Sequence, residues 1–152
     1  MWREVTKSIL ALLVAFACVQ PASPRQTDSP TAQFTGTWKG NMNDQPAVNI
    51  VLTPDGRKLG GTIIFYFQRL GSDGKWHVEG DNRPQPLIGP QVDGNVVSFE
   101  VLHHKQHGGS ELGPNKKYRL EFTAENEARF REAGGPSDIQ GQGLKLTREV
   151  NR

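Results

Sequence analysis

From Gln33 onward, apolar side chains recur at every second position in short runs, and the runs are separated by Gly, Pro, Asn and Asp. Alternation with a period of two sends successive side chains to opposite faces of a strand, and no window carries the 3.6-residue stripe of an amphipathic helix. The chain therefore reads as all-β. Phe34, Gly36 and Trp38 share one parity in the opening strand, where the glycine leaves room beside a large ring. Val48, Ile50 and Leu52 alternate up to Pro54-Asp55-Gly56, in which proline fixes φ and glycine accepts positive φ, so a hairpin is expected. Residues 60–70 form the longest predicted strand, with Ile63, Phe65 and Phe67 on one face and Ile64 and Tyr66 on the other. Such a strand is buried on both sides or offers an aromatic face to a partner. Ser72-Asp73-Gly74 turns the chain into 75–79, where Trp76 and Val78 face together.

Pro90 demotes the run 87–92 to an edge or bulged strand, because proline cannot donate to a ladder. After Asp93-Gly94-Asn95, the side chains of Val97, Phe99, Val101 and His103 alternate with Ser98, Glu100 and Leu102, a half-buried strand with His103 on its apolar parity. Residues 105–116, with Gly108, Gly109 and Gly113, read as a long exposed loop. Tyr118, Leu120 and Phe122 turn inward against Arg119, Glu121 and Thr123. Residues 126–132 fit a strand centred on Ala128 and Phe130 or a short helix, and the strand is preferred. Leu144, Leu146 and Arg148 share the inner parity of the last strand. Eight to nine short strands joined by tight connections predict a single antiparallel up-and-down barrel.

The first residues change the picture from a barrel to an exported barrel. Arg3 and Lys7 precede a short apolar run at 8–19, the layout of a signal peptide, and that run is too short for a comfortable membrane span of about 20 residues. Residues 1–19 are read as the signal, 20–32, rich in Pro, Ser and Thr, as a disordered tether, and 33–152 as the barrel domain. The expected location is periplasmic or extracellular. Ala15-Phe16-Ala17 fits an ordinary cleavage site, while Cys18 also resembles the cysteine of a bacterial lipoprotein signal, making it a candidate for lipidation and for an anchor in the envelope. Cys18 is the only cysteine, so the chain has no intramolecular disulfide. Setting aside Arg3, Lys7, Arg25, Glu4 and Asp28 leaves 15 basic against 14 acidic side chains, a balance that makes no case for nucleic acid or an anionic surface.

At Phe34-Thr35-Gly36-Thr37-Trp38 the chain resembles the calycin group of barrels, the lipocalins, fatty-acid-binding proteins and avidins, which open on a Gly-x-Trp strand. Thr53-Pro54-Asp55-Gly56 followed by Leu59-Gly60-Gly61-Thr62 is similar to an avidin-type second hairpin. In lipocalins a last-strand arginine packs across the motif tryptophan, and the resemblance gives Arg148 that part, with Gly36 and Trp38 as its structural partners. The likeness covers the two ends of the chain. Gly40 stands where avidins carry a polar biotin ligand, only residues 41–45 separate the first two strands where fatty-acid-binding proteins insert a helical lid, and Arg148-Glu149-Val150 replaces their Arg-x-Tyr. The lipocalin Thr-Asp-Tyr motif and C-terminal helix are also missing. The resemblance implies a lipocalin-like scaffold and no inherited ligand.

Candidate chemistry is sparse. His103, His104 and His107 with Glu111 invite a metal, but adjacent histidines point to opposite faces of a strand, so no metal site is assigned. Ser98, Glu100 and His104 share an outer face with no cleft to perturb them, and Gly-x-Ser-x-Gly and His-Glu-x-x-His are missing, so no catalytic residue or cofactor is expected. Lys58, Lys105, Lys116, Lys117, Arg129 and Arg131 lie scattered among acids as a solvated surface. The leading expectation is a non-enzymatic barrel that binds a small apolar or amphipathic ligand among Phe65, Phe67, Phe99, His103, Tyr118 and Phe122. The alternative is an envelope interaction or structural module with a filled barrel and no ligand, using Ile64 and Tyr66 or the 105–116 loop.

Overall fold

The structure, a computed structural model, describes residues 31–80, 82–102, 113–135 and 143–150. A 3-10 turn, Ala32–Phe34, leads into β1 (Gly36–Met42), β2 (Gln45–Asp55), β3 (Lys58–Phe65), β4 (Phe67–Leu70), β5 (Trp76–Glu79), β6 (Gln85–Pro86), β7 (Ile88–Asp93), β8 (Val96–Val101), β9 (Lys116–Ala124), β10 (Glu127–Glu132) and β11 (Leu144–Arg148). Nine of these strands make one antiparallel sheet in the order β6-β3-β2-β1-β11-β10-β9-β8-β7, and β4 and β5 pair separately. The sheet is nearly closed into an up-and-down barrel, as the alternation predicts. Residues 126–132 hold a strand, not a helix.

Closure comes from one kinked segment. Gln85 and Pro86 pair with Ile63 and Thr62 of β3, Leu87 donates its N–H to the Gly61 carbonyl at 3.0 Å, and from Ile88 the same chain pairs with β8. The switch needs Gly89 at φ 56 and a register shift between Ile88 and Gln91. Pro90 sits inside that bulge, where a missing N–H costs no ladder bond. With β6 and β7 taken as one stave, the barrel has eight.

In β1–β3 and β8–β11 the apolar parities turn inward. Trp38, Ile50, Ile63, Val97, Leu120, Ala128 and Leu146 are 0% exposed and belong to one contiguous core with Leu52, Leu59, Phe99 and Phe130. Each fully buried Val, Leu or Ile stabilises the fold by roughly 1.5–3 kcal/mol, so the middle of this barrel is its main source of stability. Close strand approach also needs two glycines. A Cβ at Gly40 would run into the Leu146 side chain, and one at Gly61, where φ is 150, would be driven into the Val51 carbonyl oxygen. Gly40 is thus kept small by Leu144 and Leu146 packing over it.

Two expectations need correction. The 60–70 strand is broken: Tyr66 still donates to the Ala47 carbonyl at 2.9 Å, but beyond it β2 has turned at Asn43 and Asp44, both at positive φ, and Pro46 has no N–H to offer. The Gln68 side chain then occupies the carbonyls of Met42, Pro46 and Gln45 at 2.9, 3.0 and 3.3 Å, and the chain leaves the barrel as the β4–β5 ribbon. At the N-terminus, Thr31 is buried and the 3-10 turn starts at Ala32, so the fold begins before residue 33, because Phe34 must be fixed from behind to enter the core.

Candidate functional site

The inward aromatic side chains split between the two ends of the barrel. At the end closed by the 3-10 turn, Phe34 and Trp38 pack on Phe122 with ring centroids 4.7 and 4.9 Å apart, and the indole N–H donates to the Phe34 carbonyl at 3.0 Å. Register pairs Trp38 with Arg148. The guanidinium carbon lies 4.6 Å from the centroid of the indole, and Arg148 also donates to the Gln33 carbonyl. The sequence expectation that Gly36 makes room for a ring needs adjusting, since the Arg148 side chain is what passes over Gly36, at ordinary contact distance from where a Cβ would stand. Phe122, expected in a cavity, belongs to this closing cluster.

At the opposite end, Phe65, Tyr118, Phe130 and Phe99 form a second cluster, with Tyr118 stacked on Phe130 at 5.2 Å and tilted on Phe65 at 5.3 Å. Burial and the nearby Glu132 carboxylate push the Tyr118 hydroxyl up to about 12. Lys116 bridges to Glu132 at 3.2 Å beside it. Gln85, paired with the inward-facing Ile63, keeps a buried side-chain oxygen without a hydrogen-bond partner. Phe130 and Gln85 were missed from sequence. Phe130 carried the right alternation but was assigned no role, and a glutamine in a Pro-flanked segment carries no inward signal.

Of the remaining cavity candidates, Phe67 is 60% exposed because it stands on the ribbon outside the barrel, which corrects its expected place. His103 lies outside the described residues, as do His104, His107, Glu111 and Cys18. Ile64 and Tyr66 are half-buried on the outer surface. Ser98 and Glu100 face outward, with Glu100 held by Lys117 at 3.6 Å and by the Asn115 side-chain amide at 3.1 Å.

The ribbon carries three large exposed apolar side chains, while Ile88 and Val92 are exposed on the edge strand β7 and Val150 beyond β11. Leu70 and Trp76 face each other on one side, 55% and 39% exposed, Phe67 lies on the reverse side, and Met42 of the adjoining β1–β2 turn is also exposed. The ribbon tip is internally braced: Asp73 accepts the Lys75 N–H at 3.1 Å and lies 3.1 Å from the His77 ring. Those two contacts, the backbone bond first, hold the Asp73 carboxyl below the usual carboxylate range. Gln68 latches the ribbon base to the barrel and also accepts from the Asn43 side chain at 3.1 Å. No protein-family model, curated protein or solved structure matches this chain.

Proposed function

We propose that this chain is an exported, non-enzymatic interaction module, a calycin-like barrel with a filled interior that presents the β4–β5 ribbon to a protein partner. The observation that carries this reading is where the apolar surface lies. Within the barrel the apolar side chains gather in one buried core, whereas Phe67, Leu70 and Trp76 are exposed on a ribbon braced at tip and base, with Met42 exposed at the end of β1 beside it. Large exposed aromatic and aliphatic groups gathered on a projecting element mark interaction surfaces, and a ribbon ordered before binding loses little entropy when it docks. Glu100 with Lys117, Glu121 with Arg131 and Glu127 with Lys145 stand as surface ion pairs.

The test is a photo-crosslinking residue placed at Trp76 in the native envelope, compared with one placed at Lys39 on the barrel wall. A discrete adduct from position 76, lost when Leu70→Asp is added and missing from position 39, is the expected outcome. Equal labelling from both positions overturns the reading. A second reading, a small ligand at the mouth, is favoured by Gln85, whose unpartnered oxygen, on the strand paired with Ile63, would accept a donor from an amphipathic molecule.

A further inference from the structure

We propose that the outer wall of β7–β10 carries a site for a tetrahedral oxyanion, a phosphate or sulfate group, held by Arg119 and Arg131 with Ser98 and Gln91. The register aligns Gln91 with Ser98, Ser98 with Arg119 and Arg119 with Arg131, so four polar side chains form one row across four staves. They point outward because Val97, Phe99, Leu120 and Phe130 between them are buried inside. Each residue in the row can donate a hydrogen bond, and a guanidinium donates two in a fork that matches an oxyanion.

The charges are what single this row out. Like charges directly opposite on neighbouring strands oppose pairing, and Arg119 and Arg131 are such a pair. Elsewhere Lys117 lies 3.6 Å from Glu100, Lys145 of the adjoining β11 lies 2.6 Å from Glu127, and Arg129 stands in register opposite an acid, Glu121. Glu121 lies 3.5 Å from Arg131 and offsets one of the two guanidinium charges. Among the described residues, Arg119 has no carboxylate within ion-pair distance, so its own charge is the one available to an anion. The Glu100 carboxylate one row away is the adverse group, and it is turned to Lys117 and Asn115.

A shallow depression adjoins the row, with Gly89, Gln91, Ser98, Glu100, Lys117 and Arg119 on its walls and Arg131 on the next strand beside it. It exists because the Gly89 bulge re-aims the edge strand there. An anion seated in it meets Arg119, Ser98 and Gln91, with the Glu100 carboxylate tied to Lys117.

The test is a titration of the full mature chain, labelled with nitrogen-15, with inorganic phosphate and with sulfate against chloride at fixed ionic strength. In parallel, vesicles of phosphatidylcholine with and without phosphatidylglycerol are added to the same protein. Saturable amide shifts confined to the neighbourhood of residues 91, 98, 119 and 131 are expected, together with a phosphate-dependent rise in melting temperature. Arg119→Gln should weaken binding by about tenfold or more, the weight of one charge-assisted pair, and should melt no lower than the parent without anion, since it relieves the like-charge pairing. Arg57→Gln, with the same charge change at the β2–β3 turn, should bind as the parent does. Saturation by free phosphate assigns a soluble ligand, and saturation by the phosphatidylglycerol vesicles alone assigns a lipid headgroup; either supports the site. Linear, unsaturable shifts spread over all surface cations, or Arg119→Gln binding as tightly as the parent, would overturn it.

Discussion

Replacing Arg148 by lysine probes how the barrel is closed. The arginine does three things at once: its guanidinium lies 4.6 Å from the centroid of a fully buried indole, its fork donates to the Gln33 carbonyl, and its methylenes cover Gly36. A cation–π contact contributes roughly 0.5–2 kcal/mol, more when desolvated, and a hydrogen bond to a charged donor about 1.5–3 kcal/mol. Lysine keeps the charge and most of the stem, but its ammonium cannot stack as a plane while also reaching the carbonyl. The expected loss for Arg148→Lys is therefore about 1–2 kcal/mol, and for Arg148→Met, which keeps only the stem, about 2–4 kcal/mol. Urea unfolding followed by Trp38 fluorescence measures both, and a double-mutant cycle with Trp38→Phe isolates the ring contact. Coupling of about 0.5 kcal/mol or more is expected. If Arg148→Lys costs less than about 0.3 kcal/mol, or the two substitutions simply add, the guanidinium over the indole is not what secures this end.

Gly61→Ala should destabilise by about 3 kcal/mol or more, since its Cβ meets the Val51 backbone oxygen at a φ that disfavours side chains; chemical denaturation checks it against Gly56→Ala, which has open space around it. Gln68→Leu should free the ribbon with little change in global melting, because the latch bonds are mostly exposed, and hydrogen exchange should rise across β4 and β5 only. Tyr118 binds its proton up to about 12 in the fold against 10.0 when unfolded, so stability should be unaffected below pH 10 and fall as pH rises from there towards 12; a late phenolate absorbance step that disappears in Tyr118→Phe is the check.

The barrel was legible in the sequence because alternation is a local signal and nearly every inward position obeyed it. In β8 the residues Val97, Phe99 and Val101 alternate with Ser98 and Glu100 in burial just as they do in polarity. Pro90 announced the edge strand and its bulge, and the calycin-like pattern together with inner parity paired Trp38 with Arg148. What the alternation could not say was where a strand loses its partner. Ile63, Phe65 and Phe67 read identically, yet only the first two stay in the sheet, because the fate of Phe67 depends on Pro46 and the Asn43-Asp44 turn some twenty residues earlier. Likewise Phe122 and Tyr118 share a parity but end in different clusters, since depth along a stave is set by register, which no single strand encodes. The outer row from Gln91 to Arg131 is a product of that register as well.

The central claim is that this barrel is filled by its own side chains and works through its outer surface. Native mass spectrometry of the protein extracted mildly from its host envelope tests it most directly. The account predicts a mass equal to the processed polypeptide, with its anchor if Cys18 is lipidated, in which any associated species is a protein partner or an exchangeable anion. A stoichiometric small apolar molecule that survives extraction and is released only on unfolding would contradict it.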